Sequence, residues 1–260
     1  MRISKRLTLA MSAAVFTLFA GAAMADGEKI VIATEGAYPP FNTLEADGTL
    51  TGFDVDIAKA LCVEMKAECT FVAQDWDGII PALLSKKFDA IVASMSITPE
   101  RLEKVDFSDK YYNTGPAIVV PKDSTITEAT AEGLAGKTIG AQSSTTHSNY
   151  AEAFFKDSEL KLYPTPDEYK LDVANGRVDA VIDDVVVLST WLKTEDGACC
   201  KLLKALEPDP VINGPGAGIA VRKGDAELKG KFDAAIKAIR ANGKYKEIND
   251  KYFDFDVYGG

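Results

Sequence analysis

Hydrophobic positions fall along this chain in short blocks that switch between two periods. The run Lys-Ile-Val-Ile-Ala-Thr at 29–34 is almost continuously apolar, as expected of a strand covered on both faces. A helical spacing follows, with Ile57, Ala58, Leu61 and Met65 on one face of a segment predicted over 54–66. Phe71 and Val72 mark another strand. Asp77-Gly78 then opens a helix burying Ile80, Leu83 and Leu84, and 88–93 is a third apolar run. That order of strands and helices implies parallel pairing with right-handed crossovers. In the loop after the first strand, Asp47-Gly48 marks a tight turn between two short extended pieces.

The pattern restarts after Gly115-Pro116. Strands are predicted at 117–120, 137–141, 160–163 and 178–182. Between and after them lie a helix carrying Tyr150, Phe154 and Phe155, one over 167–174, and one with Val186, Val187 and Trp191. A strand at 217–222, a helix over 225–241 and a last helix ending near Asp250 complete the chain. The halves echo one another, since Ser-Lys-Lys-Phe-Asp-Ala-Ile-Val-Ala-Ser at 85–94 aligns with Ala-Asn-Gly-Arg-Val-Asp-Ala-Val-Ile-Asp at 174–183. The expected fold is therefore α/β, with two similar lobes joined by a two-strand hinge. Breakers Asn113-Thr-Gly-Pro and Asn213-Gly-Pro-Gly mark the crossings. The first lobe is expected to comprise 26–114 with 215–260, and the second 115–214. A ligand then belongs in the cleft, beyond the carboxyl ends of the strands.

Residues 1–25 change what counts as the folded chain. Arg2, Lys5 and Arg6 precede a largely apolar stretch that ends in Ala23-Met24-Ala25, the form of a secretory signal peptide. Its removal leaves a soluble, exported chain and, with three bases and no acids gone, takes the net charge from −10 to −13. Such a charge argues against nucleic acid or an anionic membrane surface as a partner and favours a cationic small molecule. Four cysteines suit an oxidising compartment. Cys62 and Cys69, at a helix end and a following strand, are placed to form a disulfide. Cys199 and Cys200 sit in a predicted loop, either as a vicinal disulfide or as free thiols. Zinc would require paired knuckles that the spacing lacks, and His147 is the one histidine. No metal or cofactor is expected.

Candidate chemistry centres on 89–101. Ser94 and Ser96 alternate after the third strand, Thr98 reads as an N-cap and Pro99 as the first helical residue. Arg101 then falls in a first turn, where the helix dipole disfavours a cation, so it needs an anion. That anion is either a ligand carboxylate, held with the hydroxyls and the helix N-terminus, or one of Glu100, Glu103 and Asp106 at the surface. Asp183 and Asp184 end a strand of the other lobe, one pointing inward and one outward. They serve an ammonium across the cleft or cap the next helix. No nucleophile or histidine accompanies them for acid–base chemistry. Tyr38 and Trp76 lie in loops after strands, either to sandwich a flat group such as a guanidinium or to cover the edges of their lobes. Glu35 and Asp54 put negative charge at the far end of the cleft. Thr145 and Thr146 start a helix whose free N–H groups suit a carboxylate, and His147 is read as a surface residue.

Five stretches carry a family resemblance: Gly52-Phe53-Asp54-Val55-Asp56, Trp76-Asp-Gly-Ile-Ile-Pro81, Ser94-Met-Ser-Ile-Thr-Pro-Glu-Arg101, Gly176-Arg-Val-Asp-Ala180 and Lys251-Tyr-Phe-Asp-Phe255. Over nearly the whole mature chain, the sequence resembles the polar amino-acid-binding proteins of ABC importers. These have the type II periplasmic binding protein fold, and the resemblance is greatest to the lysine/arginine/ornithine and histidine group. It implies that Arg101 holds a ligand α-carboxylate with Ser94, Ser96 and Thr146, and that Asp184 takes the α-ammonium. Tyr38 and Trp76 would stack on the side chain, with Glu35 and Asp54 receiving a basic group. It also implies a periplasmic location, a membrane permease as partner, and a monomer without catalytic activity. Basic-ligand members usually carry a shorter acid at Glu35, often a serine at Ala93 and a glycine at Ser144. These departures leave opines as an alternative ligand class. An exported dehydratase on the same fold would need a positioned acid or base that a full amino-acid clamp leaves idle.

Overall fold

The computed structural model describes residues 27–259, and the expected signal peptide lies outside the described residues. In chain order, β1 (Lys29–Thr34) leads into a small antiparallel sheet of β2 (Ala37–Tyr38), β3 (Asn42–Leu44) and β4 (Leu50–Thr51). Helix α1 (Phe53–Met65) is followed by β5 (Glu68–Ala73), α2 (Trp76–Leu84), β6 (Ala90–Ile91), α3 (Pro99–Lys104) and β7 (Val105–Tyr112). The second unit runs β8 (Pro116–Pro121), α4 (Ala131–Leu134), β9 (Thr138–Gln142), α5 (Thr146–Phe154), β10 (Glu159–Tyr163), α6 (Pro166–Ala174), β11 (Ala180–Asp184), α7 (Val185–Trp191) and β12 (Cys200–Ala205). Then β13 (Ala217–Arg222), α8 (Ala226–Ala241) and α9 (Lys244–Tyr252) return to the first.

Two five-stranded sheets result, ordered β5-β1-β6-β13-β7 and β10-β9-β11-β8-β12. The chain thus leaves the first sheet after Tyr112 and re-enters it at Ala217. The expected parallel core holds, with β1 parallel to β5 and β6, and β9 parallel to β10 and β11. The strands next to the crossings, β13 and β8, pair antiparallel with their neighbours. Both faces of each sheet are covered. On the first, Ile57, Leu61, Phe232 and Ile236 pack one face, while Ile79, Leu83 and Phe107 pack the other. On the second, Tyr150 and Phe155 lie on one face, and Tyr169, Leu188 and Trp191 on the other.

Three strands escape the sequence reading, the first being β2, where a loop was expected. In β7 the period of two breaks, because its pairing with β13 shifts register twice and apolar residues slip out of alternation. Cys200 begins β12, where a loop was expected, and Cys199 and Cys200 are both free thiols. The expected disulfide does form between Cys62 and Cys69, Cα atoms 6.2 Å apart, tying the end of α1 to β5. The predicted third strand shrinks to Ala90–Ile91 because the chain bends away to place Ser94 at φ 54°. Gly52 starts α1 at φ 112°, and a Cβ there would meet the Phe41 carbonyl oxygen at 2.4 Å. Only glycine lets this turn press so close, which fixes the first turn of α1 against the chain at Phe41 and Asn42.

Candidate ligand-binding site

The carboxyl ends of both sheets face a common cleft. A narrow cavity there is lined from the first unit by Glu35, Tyr38, Trp76, Ser94, Ser96 and Arg101. Gln142, Thr145, Thr146 and His147 line it from the second. An adjoining chamber runs toward the crossings, sharing Tyr38, Ser94, Ser96, Thr146 and His147 and adding Asp184, Thr114 and Asn213.

Arg101 anchors one end. Thr98 caps α3, its side chain accepting from the Arg101 N–H, and Pro99 follows as expected. The guanidinium donates to the Ser96 carbonyl at 3.0 Å and, across the cleft, to the Ser144 carbonyl at 3.2 Å. It also lies 5.2 Å from the centre of the Trp76 ring. Arg101 is 8 % exposed. Burial pulls its pKa down to about 10, leaving it cationic at neutral pH. The surface pairings do not form: Glu100 is taken by Lys104 and Asp106 by Lys223. Among the described residues, no carboxylate lies within ion-pair distance of this buried cation.

Trp76 is the first residue of α2 rather than a loop residue, and its indole N–H donates to the Ser144 carbonyl at 3.2 Å. That carbonyl is presented by a backbone at φ 58°, a conformation that explains why glycine suits this position. Thr146 is the first residue of α5, and Thr145 caps the helix by accepting from the Ser148 N–H.

The acids divide into different roles. Glu35 lines the same cavity, with Oε1 accepting from Gln142 Nε2 at 2.6 Å across the cleft. Burial pushes its pKa up to about 7, the Gln142 bond works against that rise, and Asp183, Asp75 and Asp77 add to it. Asp54 departs from expectation. It is fully buried, does not line the cavity, and accepts from Asn42 Nδ2, Ser94 Oγ and Tyr111 OH. Burial lifts its pKa to about 6 even so. With its hydrogen given to Asp54, Ser94 Oγ offers the cavity only lone pairs, which suit an ammonium better than a carboxylate.

Asp184 does cap the following helix, accepting from the Val186 and Val187 N–H groups, and it also holds Thr114 Oγ1. It nevertheless faces the adjoining chamber, with its pKa raised to about 6 by burial. Asp183 does not point outward as one of a neighbouring pair should. It is 1 % exposed and accepts from Tyr38 OH at 2.5 Å and from Tyr169 OH, with His147 Nδ1 3.1 Å away. His147 is therefore half-buried in the cleft, not a surface residue. Gln142 is a cleft residue the sequence reading passed over, whereas Asp183, read there beside Asp184 as a candidate, holds Tyr38 without lining the cavity. Tyr38 is likewise a strand residue of β2, held by Asp183 and backed by Phe41.

Residues 30–255 match the family described as bacterial extracellular solute-binding proteins, family 3. The chain belongs to that family. It is 46 % identical to the L-arginine-binding protein of Pseudomonas aeruginosa over 258 residues, 98 % of this chain and 99 % of that one. The octopine-binding periplasmic protein of Rhizobium meliloti is 37 % identical, with 97 % and 99 % covered. Among solved structures, an ancestral arginine-binding protein bound to arginine superimposes with a TM-score of 0.81 at 36 % identity, covering 88 % of this chain and 99 % of that one. Members of this family and these relatives are binding proteins rather than enzymes.

Proposed function

We propose that this chain is an extracytoplasmic solute-binding protein that captures a basic amino acid, arginine foremost, and delivers it to the permease of an ABC transporter. Arg101 carries the reading: a buried guanidinium, at a helix N-terminus in a cleft, with no carboxylate within ion-pair distance among the described residues. A ligand carboxylate supplies the missing anion in the bidentate geometry that arginine favours. Ser96 and Thr146 stand beside it, and the α-ammonium falls toward Asp184 and the lone pairs of Ser94. The side chain then runs between Tyr38 and Trp76 to Glu35. A neutral side chain would leave Glu35 desolvated on closure without a counter-charge, whereas a guanidinium supplies one.

The mature chain acts as a monomer in the periplasm, exported by residues 1–25, with lobes of 26–114 plus 215–260 and 115–214 opening about the two crossings. A thermal-shift screen against the twenty amino acids, ornithine and octopine tests the ligand. Arginine at about 100 times its Kd should stabilise by roughly 2.7 kcal/mol. Calorimetry showing glutamine or an aliphatic amino acid binding as tightly as arginine would overturn the basic-ligand reading.

A further inference from the structure

The structure assigns Gln142 as the residue that tunes the far end of the cavity to a guanidinium rather than an ammonium, an inference that rests on the basic-ligand reading above. Gln142 ends β9, is 3 % exposed and lines the cavity. Its amide nitrogen donates to two oxygens, Glu35 Oε1 at 2.6 Å and the Pro164 carbonyl at 3.0 Å. Both N–H hydrogens are thereby committed, and this fixes which way the amide faces, since the reverse orientation would set an oxygen against two acceptors.

Two consequences follow for a ligand. Glu35 is held across the cleft through Oε1, so Oε2, which receives no hydrogen bond among the described residues, is the oxygen most available to an incoming cation. The Gln142 amide oxygen receives no hydrogen bond among the described residues. It is not sealed off either, since the one sealed, unpartnered side-chain atom among the described residues is Thr34 Oγ1. Two acceptors on one linked pair of side chains, one anionic and one neutral, match the planar, divergent N–H groups of a guanidinium. A lysine ammonium gathers its three donors on one point charge, so it bonds Glu35 but does not span the two acceptors as a planar fork does.

The test is calorimetry of arginine and lysine on wild type and on Q142M, which keeps length and shape but removes the amide. Q142N, which keeps the amide but falls a methylene short of Glu35, is run alongside so that the result does not depend on one variant folding. Circular dichroism melts verify the fold of each. Arginine should weaken by about tenfold or more in both variants, the scale of a lost hydrogen bond to a charged group, and lysine by less than about threefold. The arginine-to-lysine preference is the decisive readout, because a merely structural role would weaken both alike. Equal losses for the two ligands, or unchanged arginine binding, overturn the assignment while leaving the basic-ligand reading intact. Failure of wild type to bind either ligand overturns that reading and this inference with it.

Discussion

Replacing Arg101 by alanine tests the site at its strongest point. The guanidinium makes two hydrogen bonds, to the Ser96 and Ser144 carbonyls, and no carboxylate lies within ion-pair distance among the described residues. Deleting it from the unliganded protein removes those bonds, at about 1.5–3 kcal/mol each, but also removes a desolvated charge. The two effects oppose, so the unliganded melting temperature should move by only a few degrees. Binding is affected in one direction only. A ligand carboxylate confined in the cleft without its cation should cost about 2–5 kcal/mol, or roughly 30-fold to several thousand-fold in Kd. Arg101→Lys keeps the charge but loses the fork and should fall between the two. Calorimetry with arginine reads the affinity, and differential scanning fluorimetry checks the fold. Retention of arginine affinity within threefold in a folded R101A protein would refute the argument that this cation exists for the ligand.

Three further outcomes are expected. Glu35→Gln should weaken arginine more than glutamine, and the pH profile should report the same group. Its carboxyl, raised to about 7, must be ionised to meet a guanidinium, so arginine affinity should fall as pH drops below 7, approaching tenfold per unit. Asp184 titrates under either ligand, so an equal slope for glutamine would remove Glu35 from the account. Ser144→Gly should raise the unfolding free energy measured in urea by about 1 kcal/mol, because an exposed serine held at φ 58° gains nothing from its side chain there. Replacing Cys62 and Cys69 by serine should cost about 2–3 kcal/mol, as expected for opening so short a loop, in urea titrations of the oxidised and variant proteins.

Much of the anion end of this site is legible in local sequence. Thr98-Pro99 punctuates the start of α3, and that alone places Arg101 where the helix dipole makes it crave an anion. The inner parallel strands β1, β9 and β11 are legible for a similar reason, since burial writes them as largely apolar runs. What escapes is set by distant partners. Gln142 meets Glu35 across 107 residues and Tyr38 meets Asp183 across 145, and nothing near either residue signals its partner. Asp54 shows the converse error. Its position beside the ligand-facing loops is readable, but the close turn at Gly52 drives it beneath Ser94, and sequence does not say on which side of a loop an acid will lie. In β7 a local distortion of the ladder erased the periodicity on which the reading depends.

Contacts between protein groups span the cleft from Tyr38 to Asp183, from Glu35 to Gln142, from both Arg101 and Trp76 to the Ser144 carbonyl, and from Ser143 to Asp77. They hold the lobes together on their own account, so shutting does not depend wholly on the cargo. A mouth that can latch by itself admits nothing while latched. Uptake must then wait for an opening, and the apparent affinity is diluted by whatever fraction of molecules is shut. The same latches slow escape once a ligand is inside. Speed of capture and length of retention are thus set against each other by residues such as Asp183 that need never touch the cargo, and loosening one of them should quicken loading and shorten the stay together.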